Sequence, residues 1–471
     1  MWGGLKCDGP KGITFIEGTV VKSRRTGKPA AGPSASSVGD RIFSVSPPLK
    51  VNQLELYICC GQKHLRRGAA IDLVLQKTHL SEIAAAASAA TSGQIFHQAI
   101  LSFGAILFGS KHGQAAITNR GYVLHGAALK GLNLALSQPD CYMRDDVILS
   151  VSTLAILECL TPTGPRNYLK HMVGLERLLE LRGPVSCSAI SFEVYKSVRH
   201  MILFASLRTG NPSILAREEW KTALRAHCSD DDLPEQNLFN ILADCTVLSV
   251  RRNRILASWQ LNPQDSWTQE RESIEERALI LLAQLQDWRK TWKSDARNLA
   301  SVDSDHSLNT SLPVDSHSGY SGHQNTRAPA ITLLCFYNAS AAVMWMFYNT
   351  TLIYVFRILA SLPFENSDSP KQNIGPTQTT PSSLDPSRRP PGGYAAAERS
   401  AALDICRCIP YYSTQISTAD PDMSPIPHWA IMTAWATLCL EESIEGKWIT
   451  DLLETNYPDI VAKGVWTDRD R

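Results

Sequence analysis

Apolar residues in this chain recur at steps of three and four, and from about residue 51 onward that step dominates. In "YVLHGAALKGLNLALS", Tyr122, His125, Leu129, Leu132 and Leu136 follow at spacings of 3, 4, 3 and 4, which places them on one stripe of a helix. "SQPD" ends that stretch. Asp145 and Asp146 come next, acidic residues of the kind that favour a helix N-terminus, and Val147, Val151, Leu154 and Leu157 follow at 4, 3 and 3. "TPTGP" at 161–165 breaks the run. Tyr168, Met172, Leu175 and Leu179 then repeat the step until "LRGP" closes it. There Gly183 is suited to a left-handed C-terminal conformation and Pro184 forbids continuation. Short loops between these helices predict an antiparallel trio. Further helices are predicted at 64–90, 94–110, 190–208, 236–258, 266–297, 331–361, 394–412 and 426–445. Alternating Val/Ile/Thr runs are scarce, so the fold class expected is all-α, a large multi-helix domain.

Three stretches lack the pattern. Residues 1–50 are rich in Gly, Pro and Ser, and "KPAAGPSASS" reads as flexible linker. Residues 301–329 and 364–393 are polar inserts with too few apolar residues to offset ordering entropy. Helical patterns continue on both sides, so the inserts are expected to be disordered loops within a single domain, 51–471. "AAAASAA" at 84–90 favours helix and implies no chemistry. The stretch 331–356 carries no charge and is long enough to cross a bilayer. It also holds Asn338, Asn349, Thr350 and Thr351, and no second span accompanies it. A helix apolar on all sides can equally form the centre of a bundle, and that is the expectation here, with no membrane. The sequons at Asn338 and Asn349 then lie in a core helix and say nothing about glycosylation.

Composition adds little bias. Of 471 residues 44% are hydrophobic, and the net charge is +1, so a nucleic-acid or membrane claim must rest on local charge. The first thirty residues hold no apolar run of signal-peptide type, which makes the twelve cysteines most simply reduced thiols. Cys59-Cys60 and Cys406-x-Cys408 are close pairs, but neither has the C-x2-C spacing that grips a metal. Phosphate-loop, dinucleotide, zinc-protease, EF-hand and nucleophile-elbow motifs are absent. "SGYSG" at 318–322 lies in an insert. His125 and His171 are read as structural histidines beside apolar stripes. Glu158 would be buried in the bundle, with Arg182 or Arg177 as its partner, because a buried carboxylate is costly unless paired. Lys22, Arg24, Arg25 and Lys28, in "VVKSRRTGKPA", form a basic cluster able to neutralise phosphates or serve nuclear import; a solvated linker is the alternative.

Four blocks together resemble the fungal zinc binuclear-cluster transcription factors. "GLKCDGPKG" is similar to the end of the six-cysteine cluster, with Cys7 in the place of its last ligand. "IFHQAILSFGAILFGSKHGQAAITNRGYVLHGAALKGLNLALSQPD" (95–140) resembles the start of the fungal-specific transcription factor domain, and "DDVILSVSTLAILECLTPTGPRNYLKHMVGLERLLELRGP" (145–184) resembles its most recognisable stretch. "WMFYNTTLIYVFRIL" resembles a later core helix. The resemblance implies a nuclear, non-enzymatic regulator of transcription by RNA polymerase II, controlling metabolic or secondary-metabolite genes. It implies DNA and the transcription machinery or other regulators as partners, with a homodimer as one option. It also implies two zinc ions held by six thiolates. Here Cys7 stands without its five partners, so the chain as written is expected to need no cofactor and to bind DNA weakly or not at all; zinc is expected only in a full-length form. Two readings stay open: a factor whose cluster is truncated, or a regulatory module without DNA binding that acts through partners. A helical enzyme is a third class, because large apolar cores can hide pockets.

Overall fold

A computed structural model describes residues 56–57, 94–184, 189–261, 267–298, 301–303, 333–362, 393–418, 426–439, 443–457 and 460–466. Contacts divide the chain into Met1–Lys50 and Val51–Arg471. The first unit lies wholly outside the described residues, as do the helix expected at 64–90 and most of both polar inserts. Within the second, thirteen helices are described. They are α1 (Gln94–Lys111), α2 (Ala115–Leu136), α3 (Asp145–Leu160), α4 (Asn167–Arg182), α5 (Ala189–Thr209), α6 (Glu218–Ala226) and α7 (Leu233–Leu261). Then come α8 (Thr268–Ser294), α9 (Ala339–Ala360), α10 (Gly393–Thr418), α11 (Ile426–Leu438), α12 (Ile444–Asp451) and α13 (Lys463–Trp466). The all-α expectation holds.

The predicted trio is present as α2, α3 and α4, with one adjustment. The inward line of α2 is Gly121, His125, Ala128, Leu132 and Ala135, while Tyr122 and Leu136 are exposed. The reason is steric: small residues on that line let α2 lie close against α1, and a stripe led by Tyr122 would hold them apart. Gly183 ends α4 with φ of +71°, as its sequence position suggests, but its ψ of 162° lies outside the left-handed helical cap, in a positive-φ region that essentially only glycine enters.

Three other expectations are corrected. The helix forecast at 331–361 starts only at Ala339, where the Asn338 side chain caps it by accepting from the Ala341 N–H at 2.8 Å. Before it, Leu333–Cys335 forms a short strand, β2, antiparallel to β1 (Ser301–Asp303), with Val302 opposite Leu334. The first residues of the insert expected to be disordered are therefore paired. The helix forecast at 426–445 is two helices. Ser443 separates them: its hydroxyl donates to Leu438 O at 2.7 Å and accepts from the Gly446 N–H at 3.0 Å. Finally, α10 runs past its expected end at 412 to Thr418, straight through Pro410, although proline removes a backbone donor there.

The centre of the bundle is α9. It packs against α7, α8, α10 and α11. Of its most apolar window 89% is buried within the chain, so the uncharged stretch is enclosed by other helices on its sides. Its polar residues are satisfied internally: Asn349 Nδ2 donates to Trp345 O at 2.9 Å, Thr350 Oγ1 to Met346 O at 2.8 Å and Thr351 Oγ1 to Phe347 O at 3.0 Å. One hydrophobic core runs from Ile95 in α1 to Val465 in α13. The short α13 folds back onto the end of α3, where a Cβ at Gly464 would stand 2.3 Å from Glu158 O. Only glycine permits that backbone approach.

Candidate functional site

A cleft of about 1260 Å³ lies between α6, α7 and α8 and reaches the first residues of α9. One wall is aromatic. Trp288 and Trp292 stack with ring centres 5.1 Å apart, and Trp288 Nε1 donates to Pro234 O at 2.8 Å, which fixes the pair against the start of α7. The rest is charged, and much of the charge is matched. Asp244 on α7 accepts Lys221 Nζ from α6 at 2.5 Å and Arg277 from α8 at 3.0 Å, so one carboxylate ties three helices. Arg297 closes on Asp295 at 2.7 Å. Such a groove can hold a polar partner by hydrogen bonds and an aromatic face. It has no nucleophile beside a base among the described residues, and no group of three or more His, Cys, Asp or Glu there could hold a metal.

A second, half-buried polar centre lies on the inner side of α4. Glu176 accepts from Ser213 Oγ at 2.8 Å, from the Ile214 N–H at 2.9 Å and from Ser206 Oγ at 3.2 Å. Burial pushes its carboxyl pKa up, and these three donors pull against that shift. The carboxylate thereby fixes the turn after α5 to α4. Sequence reasoning passed over Glu176, though it lies four residues after Met172 on the inward side of α4. Signals of the same kind were available for Arg199, whose guanidinium reaches Gln236 at 2.9 Å, pairs with Glu235 and lies 4.1 Å from the centre of the Phe239 ring.

The titratable groups singled out from sequence do converge, but not with the partners expected. Glu158 is 2% exposed. Its oxygens accept from the Thr163 N–H at 2.8 Å and from Thr163 Oγ1 at 2.5 Å, and His125 Nε2 lies 3.9 Å away. Arg182 instead reaches Asp145 at 2.7 Å, tying the end of α4 to the start of α3, and Arg177 pairs with Glu180 at 2.5 Å on the surface. The correction follows from geometry: the threonine of the break after α3 is already beside Glu158, so no arginine is needed. Burial lowers the pKa of both His125 and His171, with Glu158 opposing the shift in each. Both are packed histidines in which burial disfavours the charged form. Cys406 and Cys408 are buried free thiols, and burial raises the pKa of both. Cys7 and the basic residues Lys22, Arg24, Arg25 and Lys28 lie outside the described residues, as do Cys59, Cys60 and "SGYSG".

Comparison with known proteins places this bundle. One curated relative, the uncharacterised protein AN5342 of Emericella nidulans, is 29% identical over 158 residues; the match covers 33% of this chain and 34% of that relative. The matched part thus spans about a third of the relative's length. No solved structure matches. The fungal specific transcription factor domain, however, matches residues 83–375, from ahead of α1 to beyond α9, and α10 and α11 pack directly on that last helix. On that match, the chain belongs to the fungal-specific transcription factor domain family.

Proposed function

We propose that this chain is a nuclear regulator of RNA polymerase II transcription, acting on metabolic or secondary-metabolite genes, with 51–471 as a helical regulatory domain and 1–50 as a basic arm carrying the zinc-cluster remnant at Cys7. The family match over 83–375 carries the reading. In it the bundle senses and transmits rather than catalyses. Tethering the full chain to a heterologous DNA-binding domain in a fungal reporter strain tests it. Reporter output should change by several-fold against the DNA-binding domain alone; unchanged output would overturn the proposal.

DNA contact in this reading comes from Lys22, Arg24, Arg25 and Lys28. Replacing all four by alanine should weaken binding to arbitrary duplex DNA and flatten its dependence on log salt by about 3 to 4, because each cation releases roughly 0.9 counterion. The wide, hydrogen-bonding cleft with its Trp288–Trp292 wall favours a second reading, in which the chain reaches promoters through a partner protein. In that case the quadruple substitution leaves reporter output at a native promoter unchanged, while Asp231→Lys or Asp287→Lys in the cleft lowers it.

A further inference from the structure

Beside the cleft, but not lining it, α8 carries two exposed cations one turn apart, Arg289 and Lys293. Both cover Trp345 of α9: the Arg289 Cζ lies 5.4 Å from the centre of that ring and the Lys293 Nζ 5.9 Å. Arg289 also hydrogen-bonds the Tyr348 hydroxyl on the next turn of α9. Arg407 joins them from α10, with its Nη1 2.8 Å from Asp404 Oδ1. Burial pushes the Asp404 carboxyl pKa up, and Arg407, Arg289 and Lys293 all lie near enough to oppose that shift. Among the described residues neither Arg289 nor Lys293 has a carboxylate in ion-pair contact, so three cations gather around one carboxylate.

The cluster is short of acceptors. Trp345 is 7% exposed, and its Nε1 is buried with no hydrogen-bond partner. The Nε of Arg407 is likewise buried and unpartnered. A buried N–H without an acceptor carries the full desolvation penalty of the group, and native interiors rarely leave one; a bound ion or water is a common explanation. A water would satisfy the donors but leave the surplus charge. An oxyanion meets both needs, since it offers only acceptors and guanidinium forks match its paired oxygens. A tetrahedral dianion of the phosphate kind balances three cations and one carboxylate.

We propose that Arg289, Lys293, Arg407 and the Trp345 indole form an anion site that takes a phosphate group, free or as the end of a small phosphate ester. Arg289 and Lys293 hold it from α8, Arg407 donates from α10 through its free Nε, and the Trp345 Nε1 donates from α9. Bound phosphate ties α8 to α10 across α9, so its arrival tightens the helices around the centre of the bundle. Such binding is independent of the transcriptional reading.

Calorimetric titration of the full chain with sodium phosphate, glycerol phosphate and glycerol tests it, in about 0.15 M NaCl to screen diffuse attraction. Saturable one-to-one binding of phosphate or its ester is expected, with a rise in Tm, and no binding of glycerol. Tighter binding of the ester assigns the site to a phosphate ester; equal or tighter binding of the free ion assigns it to phosphate itself. Arg289→Gln, on an exposed side chain, should weaken binding about tenfold. Lys290→Gln, on the neighbouring exposed lysine that pairs with Asp287, should leave it unchanged. Trp345→Phe keeps an aromatic ring and removes the N–H, so the phosphate-induced rise in Tm should shrink whatever the variant's own Tm. Absence of binding by both phosphate and its ester up to about 10 mM, a weak-affinity ceiling, would overturn the proposal. So would an equal loss in Lys290→Gln and Arg289→Gln, or a phosphate-induced rise in Tm undiminished in Trp345→Phe.

Discussion

At the scale of single residues, the buried polar groups decide more than the exposed ion pairs. Glu176 has three donors aimed at it, and removing the carboxylate strands the Ser213 hydroxyl and the Ile214 N–H. Glu176→Ala should therefore cost on the order of 3 kcal/mol in urea unfolding. Arg177→Ala, at an exposed pair with Glu180, should fall within about 0.5 kcal/mol of the wild type. Glu176 also carries a pH signature. Its folded-state pKa lies above its unfolded one, so the native state holds more protons between the two. Its contribution to stability is present at low pH and is lost as pH rises through that raised value. Glu176→Gln should remove that slope from a plot of unfolding free energy against pH. His428 behaves oppositely. Its Nδ1 sits 2.9 Å from Ile460 O and 3.2 Å from the Ala462 nitrogen, so the tautomer decides whether it donates to the first or accepts from the second. Burial lowers its pKa, so its stability is present above the ordinary histidine range and is lost as pH falls through the lowered value.

At the scale of elements, periodicity was the readable signal. Helices α1 to α5, α7 and α8 sit close to their predicted spans because each carries a repeated apolar step bounded by a breaker such as "TPTGP" or "LRGP". What stayed hidden depended on contacts far along the chain. The inward line of α2 runs through Gly121 and Ala128 because α1 lies so near, and α2's own apolar step does not reveal that. The β1–β2 pair joins residues 301–303 to 333–335 across an insert, and three-residue strands carry no alternation to detect. The single helix expected over 426–445 ran across the break at Ser443, whose capping role shows in its bonds to Leu438 and Gly446. A pocket lined by Tyr168, Phe204, Tyr354, Trp429 and Val465 draws on five helices, and the nearest two of its walls in sequence, on α11 and α13, are still 29 residues apart at Ala436 and Val465. The caps and close approaches give direct tests. Asn338→Ala should destabilise by about 1 kcal/mol through loss of the α9 cap. Gly464→Ala drives a Cβ into the carbonyl of Glu158 and should cost about 1 to 3 kcal/mol, read as earlier proteolysis near the C-terminus and a lower Tm.

At the scale of the whole molecule, the family was legible from the order of four blocks, each of them weak alone, and the match over 83–375 covers three of these. The fold extends the domain past that match, since α10 and α11 complete the jacket around α9 and α13 returns to α3. Burial lowers the pKa of four histidines, His97, His125, His171 and His428. Charging them favours the unfolded chain, so the unfolding free energy should fall as pH drops through the lowered histidine values, a trend opposite in sign to that of Glu176. The seating of Gly464 against Glu158 also sets a clock. The two residues lie about 300 positions apart, and a ribosome adding 5–20 residues per second needs roughly 15 to 60 seconds to cover that interval. Throughout it the end of α3 is already made and waits without its cover. The nascent chain therefore has a long period in which apolar surface is available to chaperones, and the amount of finished regulator in a cell depends on how that wait is managed.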